Sequence, residues 1–154
     1  MASRVQQEDF DVGAEIAALT RGRTEIGGVA VFIGVVRDFI EDGAEKAPAE
    51  IRGMTLEHYP GMTEAALTKI ATEASERWSL GDVLVIHRYG RLVTGEMIMM
   101  VATASRHRKD AFEAAEFLMD YLKSRAPFWK REVTADGSSW VAARDEDEAA
   151  LERW

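Results

Sequence analysis

Strand-like segments come in adjacent pairs along this chain, and helix-like segments separate the pairs. The clearest strand is a β-branched, apolar run that begins with two glycines, Gly27–Val36. The clearest helix is Lys109–Ser124, in which apolar residues recur at helical spacing. Paired strands alternating with helices are typical of α+β domains with an antiparallel or mixed sheet. The sequence therefore predicts one α+β domain over residues 1–154, with the element order α-β-β-α-β-β-α-β-β.

Capping and turn residues place the other elements. Helices are predicted at Asp11–Thr20 and at a segment N-capped by Thr63 and ending near Trp78. The charged tail Asp145–Trp154 is expected either to form a short helix or to fray. Strands are predicted at Ile51–Tyr59, Asp82–Tyr89, Glu96–Thr103, Phe128–Thr134 and Ser139–Val141. The buried helix faces are predicted to be Leu67, Ile70, Ala71 and Ala74, and then Phe112, Ala115, Met119 and Leu122. Residues 38–50 are polar and are predicted to form a mobile surface loop.

Charge and composition exclude several classes of function. The 154 residues carry a formal net charge of −8 and include no cysteine. The charge argues against bulk attraction to nucleic acid or to an anionic membrane. The absence of cysteine removes disulfides, thiolate metal sites and cysteine nucleophiles. The three histidines lack metal-ligand spacing and no apolar run is long enough to span a bilayer, so we expect a cytoplasmic protein without a metal or cofactor.

One segment of this acidic chain is basic. Residues 105–131 hold seven bases against four acids. The predicted element ends carry cations, which are Arg37, His107, Arg108, Lys123, Lys130 and Arg131. Cations at these positions, together with the free N–H groups of a helix start, would suit a small anion. Basic residues at helix ends are also common without any ligand, and the count alone favours that simpler interpretation.

Lys123 and Lys130 form the most informative pair of cations. A helix end, the turn at Pro127 and a strand start could bring these two lysines onto one pocket wall. Two ammonium groups there could bind an anion, or one could act as acid, base or nucleophile. The flanking aromatic side chains would suit a flat heteroaromatic ligand with a phosphate; they are Tyr121, Phe128 and Trp129. Solvated lysines beside ordinary core aromatics are the alternative.

Several motifs at these positions resemble the large, catalytic subunit family of molybdopterin synthase, the MoaE family. They are Val31–Arg37 (VFIGVVR), Leu56–Met62 (LEHYPGM), Ile86–Arg88 with Gly90, Ser105–Arg108 (SRHR), and Lys123–Pro127 followed by Phe128–Glu132 (FWKRE). The resemblance covers roughly residues 10–154. It implies an α/β-hammerhead fold with an additional antiparallel sheet.

The resemblance also implies an activity and partners. The family inserts two sulfurs into cyclic pyranopterin monophosphate (precursor Z) and forms the dithiolene of molybdopterin. The sulfur comes from a small ubiquitin-like carrier whose C-terminal Gly-Gly ends in a thiocarboxylate. Two large subunits form a homodimer and bind one carrier each, giving a heterotetramer. No metal or cofactor is implied for sulfur insertion.

The resemblance assigns site residues by position. The essential lysine of the family corresponds to Lys123, and its second important lysine to Lys130. The substrate-binding positions correspond to Arg37 with the backbone of Val35 and Val36, to Arg131 and Glu132, and to His107 and Arg108, the last two contributed by a neighbouring subunit. Arg144 matches a further basic position.

Three hypotheses are therefore open at the sequence level. The first is a sulfurtransferase with Lys123 at its centre. The second is a non-catalytic dimeric module that binds the tail of a ubiquitin-like protein through the same pocket. The third is a homodimeric structural protein whose cations only bind phosphate. The presence of Lys123, Lys130 and Arg37 together favours the first.

Overall fold

The computed structural model describes residues 1–37, 51–134, 137–141 and 145–154, so the predicted loop 38–50 lies outside the described residues. The strands are β1 (Ala2–Gln6), β2 (Gly28–Val35), β3 (Ile51–His58), β4 (Asp82–Arg88), β5 (Gly90–Val93), β6 (Met97–Ser105), β7 (Phe128–Thr134) and β8 (Gly137–Val141). The helices are α1 (Val12–Thr20), α2 (Met62–Arg77), α3 (Arg108–Arg125), α4 (Asp145–Ala150) and a 3-10 turn, Leu151–Arg153. The mixture of helices and paired strands confirms the α+β class.

The strands form two four-stranded sheets. The first has the order β1-β4-β6-β2 and is mixed, because β1 runs parallel to β4 while the other pairs are antiparallel. The second has the order β5-β3-β7-β8 and is antiparallel throughout. This matches the expected main sheet with an additional antiparallel sheet. Strands β1 and β5 were not predicted, since β1 is polar and β5 is only four residues long between glycines.

Helices α2 and α3 cover one face of the first sheet. The predicted inner face of α2, from Leu67 to Ala74, is buried. The predicted inner face of α3 is wrong at Phe112, which is 67% exposed, while its neighbour Ala111 is buried. The hydroxyl of Thr103 on β6 donates a 2.6 Å hydrogen bond to the carbonyl of Ala111. Small alanines let the helix approach the sheet this closely, so the face turns by one residue and Phe112 points to solvent.

The start of α2 also differs from the prediction. Its N-cap is Gly61, with φ of 80°, and the N–H of Gly61 donates to the carboxylate of Glu64 at 2.6 Å. Thr63 is fully buried instead, and its hydroxyl donates to the carbonyl of Tyr59 at 2.9 Å. Glycine takes the cap position because the turn requires a positive φ.

Candidate functional site

Four of the predicted cations lie at two opposite ends of the first sheet; they are Arg37, His107, Arg108 and Lys123. Strand β2 runs antiparallel to β6, with Gly28 opposite Ser105 and Val35 opposite Met97. Helix α3 follows β6 and runs back along it, packed on β6 and β2. We call the end that holds Val35, the start of β6 and the end of α3 the lysine end. The other, with the start of β2 and the start of α3, is the histidine end.

Lys123 lies in the last turn of α3, at the lysine end. Its side chain is 56% exposed, and its Nζ is 3.6 Å from a carboxylate oxygen of Asp147 on α4. The carbonyl groups that end a helix carry partial negative charge and favour a cation at this position. An exposed ammonium held at a helix end is accessible to an anionic ligand.

The end of β2 brings Arg37 to the same region. The preceding residue, Val36, is 2% exposed and packs with Leu56 and Met54 of β3 and with Leu92 of β5. The N–H of Val36 donates to the carbonyl of Glu96 at 3.0 Å, and its own carbonyl accepts from Gly95 at 2.9 Å. These contacts fix the backbone from which the exposed Arg37 side chain projects.

Lys130 reaches this region from the second sheet. It is the third residue of β7 and pairs with Leu56, so the two side chains share one face of the sheet. Leu56 packs with Val36, which places the half-buried Lys130 beside the cluster that anchors Arg37. The structure thus brings together the neighbourhoods of Lys130 and Arg37.

Side-chain alternation separates two of the predicted residues from each other. Along β7, Lys130 belongs to one face, and Arg131, which pairs with Thr55, belongs to the other. The side chain of Glu132 lies outside the described part of the structure. Adjacent residues of a strand therefore do not converge on one pocket wall. Arg131 is half-buried and points away from the face that Lys130 shares with Leu56. Arg144 lies outside the described residues.

His107 and Arg108 lie at the histidine end. His107 is the N-cap of α3, and both side chains are exposed. Arg108 and Lys123 are fifteen helical residues apart, which is about 22 Å along the axis. Within one copy of the chain, the two groups of cations cannot contact the same small ligand.

The three aromatic residues near the lysines each contact a different ring. Tyr121 packs on Phe117, with ring centroids 4.6 Å apart. Phe128 stacks on His87. Trp129 is partly exposed and meets Tyr59 edge to face at 4.0 Å. Phe128 and Trp129 are adjacent in β7 and lie on opposite faces of the strand, so one flat ligand cannot stack on both.

A cluster of histidines and aromatic rings supports the start of β7, and sequence reasoning did not identify it. The Nδ1–H of His87 donates a 2.8 Å hydrogen bond to the carbonyl of Arg88. Burial lowers the pKa of His87 to about 4, with a smaller lowering from neighbouring His58. His58 itself packs on Tyr89 at 4.4 Å, and its Nδ1 is buried with no hydrogen-bond partner among the described residues.

Asp147 is the second residue that sequence reasoning missed. The acidic run 145–148 was interpreted only as part of a charged tail, yet α4 returns to the end of α3 and pairs with Lys123. The available signal was the run of four acids, whose negative charge is complementary to the basic end of α3. Among the described residues, no group of three or more potential ligands could hold a metal ion. No helix there is long and apolar enough to cross a membrane.

Comparison with known proteins gives a consistent result. A family model described as "MoaE protein" matches residues 5–125. The molybdopterin synthase catalytic subunit of Ralstonia nicotianae is 60% identical over 151 residues, which cover 98% of this chain and 82% of that protein. The protein of the same name from Cereibacter sphaeroides is 59% identical over 150 residues, covering 97% of both chains.

Solved structures agree with the sequence matches. The molybdopterin biosynthesis MoaE protein from Burkholderia ambifaria superposes with a TM-score of 0.81 and 52% identity, covering 99% of this chain and 96% of that one. A complex of subunits 1 and 2 of the molybdopterin-converting factor from Helicobacter pylori contains a chain that superposes with a TM-score of 0.72. That chain is 21% identical and covers 92% of this chain and 91% of its own, so it supports the fold alone.

Proposed function

The chain belongs to the MoaE family of molybdopterin synthase catalytic subunits, and from this premise we propose that it transfers sulfur to cyclic pyranopterin monophosphate. The donor is the thiocarboxylate at the C-terminus of a small ubiquitin-like carrier. Each transfer forms a carbon–sulfur bond at a side-chain carbon of the pterin and breaks the bond between that carbon and oxygen. Water then cleaves the bond between the sulfur and the carrier's carbonyl carbon, so the carrier leaves as a carboxylate. Two transfers give the dithiolene of molybdopterin.

One observation carries this proposal: Lys123, Lys130 and Arg37 all belong to the lysine end of the fold. Both reactants are anions, since the pterin carries a cyclic phosphate and the donor a thiocarboxylate. Cations on three separate elements give an anionic pair of reactants a common place to bind.

The lysines have different surroundings and therefore different proposed roles. Lys123 is exposed at a helix end and would hold the thiocarboxylate and stabilise the charge that develops as sulfur attacks. Lys130 is half-buried beside Leu56 and would assist at the pterin side of the same step. We also propose that sulfur insertion by these groups requires no metal or cofactor.

A second copy of the chain would complete the site. Strand β2 is an edge of the first sheet among the described strands, and its Phe32 is 43% exposed. Two copies related by a two-fold axis and placed edge to edge along β2 would run antiparallel. The histidine end of one copy would then lie beside the lysine end of the other. His107 and Arg108 would act across this interface, and two carriers would make the assembly a heterotetramer.

The test is an in-vitro conversion assay. Purified chain, thiocarboxylated carrier and cyclic pyranopterin monophosphate are mixed, and the dithiolene product is followed for wild type, Lys123→Ala and Lys69→Ala. Lys69 is an exposed lysine in the middle of α2 and serves as the matched control. We expect product from wild type and Lys69→Ala, and at least a hundredfold less from Lys123→Ala.

Two results would contradict the proposal. Normal product formation by a folded Lys123→Ala variant would remove Lys123 from the reaction. A wild type that binds carrier but makes no product would leave the alternative of a non-catalytic module that binds a ubiquitin-like tail.

A further inference from the structure

The ammonium of Lys123 already faces an anion that belongs to the chain itself. Its Nζ is 3.6 Å from a carboxylate oxygen of Asp147, and the Asp147 side chain is 22% exposed. The carboxylate is thus more enclosed than the lysine it pairs with. An external anion that approaches Lys123 finds its ammonium group already paired with Asp147.

The carboxylate is held there by the docking of α4 on the end of α3. The hydroxyl of Ser124, the residue after Lys123, donates a 2.6 Å hydrogen bond to the backbone carbonyl of Asp147. One residue farther along each helix, Arg125 pairs with Glu148 at 3.1 Å. Asp147 is therefore held near Lys123 by contacts of its backbone and of its neighbour Glu148, and not only by the attraction between the two charges.

The 3-10 turn after α4 ties the same segment to α3 a second time. Arg153 pairs with Glu116 at 2.7 Å and with Asp120 at 2.8 Å. The indole N–H of Trp154 also donates to Asp120, at 2.7 Å, and its ring packs on Phe117. Since α4 is fixed at both ends, the backbone of Asp147 stays close to Lys123 when an external anion arrives, and only the Asp147 side chain has to move.

We propose that Asp147 is a resident counter-anion that competes with the incoming anion for Lys123 and so sets the affinity of this site. Two carboxylate-like groups beside one ammonium repel each other, so the ligand must displace Asp147 or bind against its charge. The lysine of this 3.6 Å pair is 56% exposed, so solvent weakens the attraction and allows the exchange. The identity of the natural competitor, the thiocarboxylate tail, rests on the proposed function; the competition itself does not.

The chain offers a matched control for this competition. Glu148 is the next residue of α4 and pairs with Arg125 instead of Lys123. Asp147→Asn and Glu148→Gln each remove one negative charge from the same helix. The hydrogen bond from Ser124 goes to the Asp147 backbone, so Asp147→Asn leaves it in place.

The test is a titration of the full chain with inorganic phosphate, followed by NMR of the lysine ammonium groups. The Lys123 signal is the one that is missing in Lys123→Ala. We expect the half-saturating phosphate concentration at Lys123 to fall about two- to fivefold in Asp147→Asn, the range set by an exposed ion pair. In Glu148→Gln, the logarithm of the half-saturating phosphate concentration at Lys123 should change by less than half as much as in Asp147→Asn.

Two outcomes would overturn the inference: phosphate binding in Asp147→Asn that equals or is weaker than wild type, or an equal gain in both variants. The near-ultraviolet circular dichroism of Trp154 and Trp78 reports whether α4 and the turn stay docked. In the conversion assay, the KM for the carrier should fall by the same factor in Asp147→Asn. If wild type makes no product, the proposed function fails, while the phosphate titration still decides the role of Asp147.

Discussion

Phe128 stacks on the imidazole of His87, with ring centroids 3.8 Å apart and planes 21° from parallel. The contact joins the first residue of β7 to β4, and so joins the second sheet to the first. Lys130 is two residues beyond Phe128 on the same strand face. A neutral imidazole in this stack therefore supports the strand that carries one of the two proposed site lysines.

The stability of the fold should fall as the pH is lowered through the range in which His87 titrates. Its pKa is about 4 when folded and about 6.5 when unfolded, so only the unfolded state gains this proton between those values. Stability is then complete above about pH 6.5 and decreases toward pH 4, by at most about 3 kcal/mol. Urea unfolding at a series of pH values measures this loss.

Two histidine variants serve as the test and the control. In His87→Phe, the free energy of unfolding should depend less steeply on pH between about 4 and 6.5. In His107→Gln, which changes an exposed histidine, the slope should stay the same. An unchanged slope in His87→Phe would assign the loss to other groups.

Two neighbouring glycines should differ sharply in their tolerance of a side chain. A Cβ on Gly27 would lie 2.2 Å from the carbonyl oxygen of Arg106, while a Cβ on Gly28 meets nothing within 4 Å. Gly27→Ala must push apart β2 and the turn before α3, at a cost of about 1–3 kcal/mol. Gly28→Ala should change stability by less than about 0.5 kcal/mol. Thermal unfolding of the two variants checks this, and equal stabilities would contradict the close approach.

The exposed edge of β2 should be required for self-association. A charge at Phe32 would be buried without a partner in a β2-to-β2 interface. We expect Phe32→Glu to sediment as a folded monomer at concentrations where wild type is a dimer. Tyr59→Glu is the control, because Tyr59 is an exposed aromatic residue of the other sheet region. Dimers that persist in Phe32→Glu would exclude this edge as the interface.

Mixed dimers should recover activity that each parent has lost. If Arg108 of one copy serves the Lys123 site of the other, a dimer of Arg108→Ala with Lys123→Ala keeps one intact site. Random mixing would then give about one quarter of wild-type activity in the conversion assay, because half of the dimers are mixed and each has one of two sites. Lys123→Ala mixed with Lys130→Ala should give no recovery, since both lysines would serve the same site in one copy. Equal recovery in the two mixtures would rule out the shared site.

Much of the fold follows from local patterns in the sequence. The inner face of α2 and the apolar strands β2, β4 and β6 were predicted because their residues match the period of the element. The errors arise where a distant contact decides the outcome. Strand β1 is defined by its pairing with β4, and the outward turn of Phe112 by the close contact between Ala111 and Thr103.

The candidate site was predicted as a set of residues but not as an arrangement. Sequence motifs identified Lys123, Lys130 and Arg37, and the fold brings their neighbourhoods together. The predicted strand Phe128–Thr134 already puts Lys130 and Arg131 on opposite faces, but the sequence could not show which of these two faces meets the first sheet. Nor could it pair Asp147 with Lys123, since that contact needs the return of α4 onto α3.

The length of α3 has a consequence for how such a chain can change. Its 18 residues carry Arg108 in the first turn and Lys123 in the last. One inserted residue would rotate these ends relative to each other by about 100° and move them about 1.5 Å apart. Either the lysine or the arginine would then point in a different direction. The number of residues in α3 is therefore constrained, even at surface positions where the residue type is free to vary.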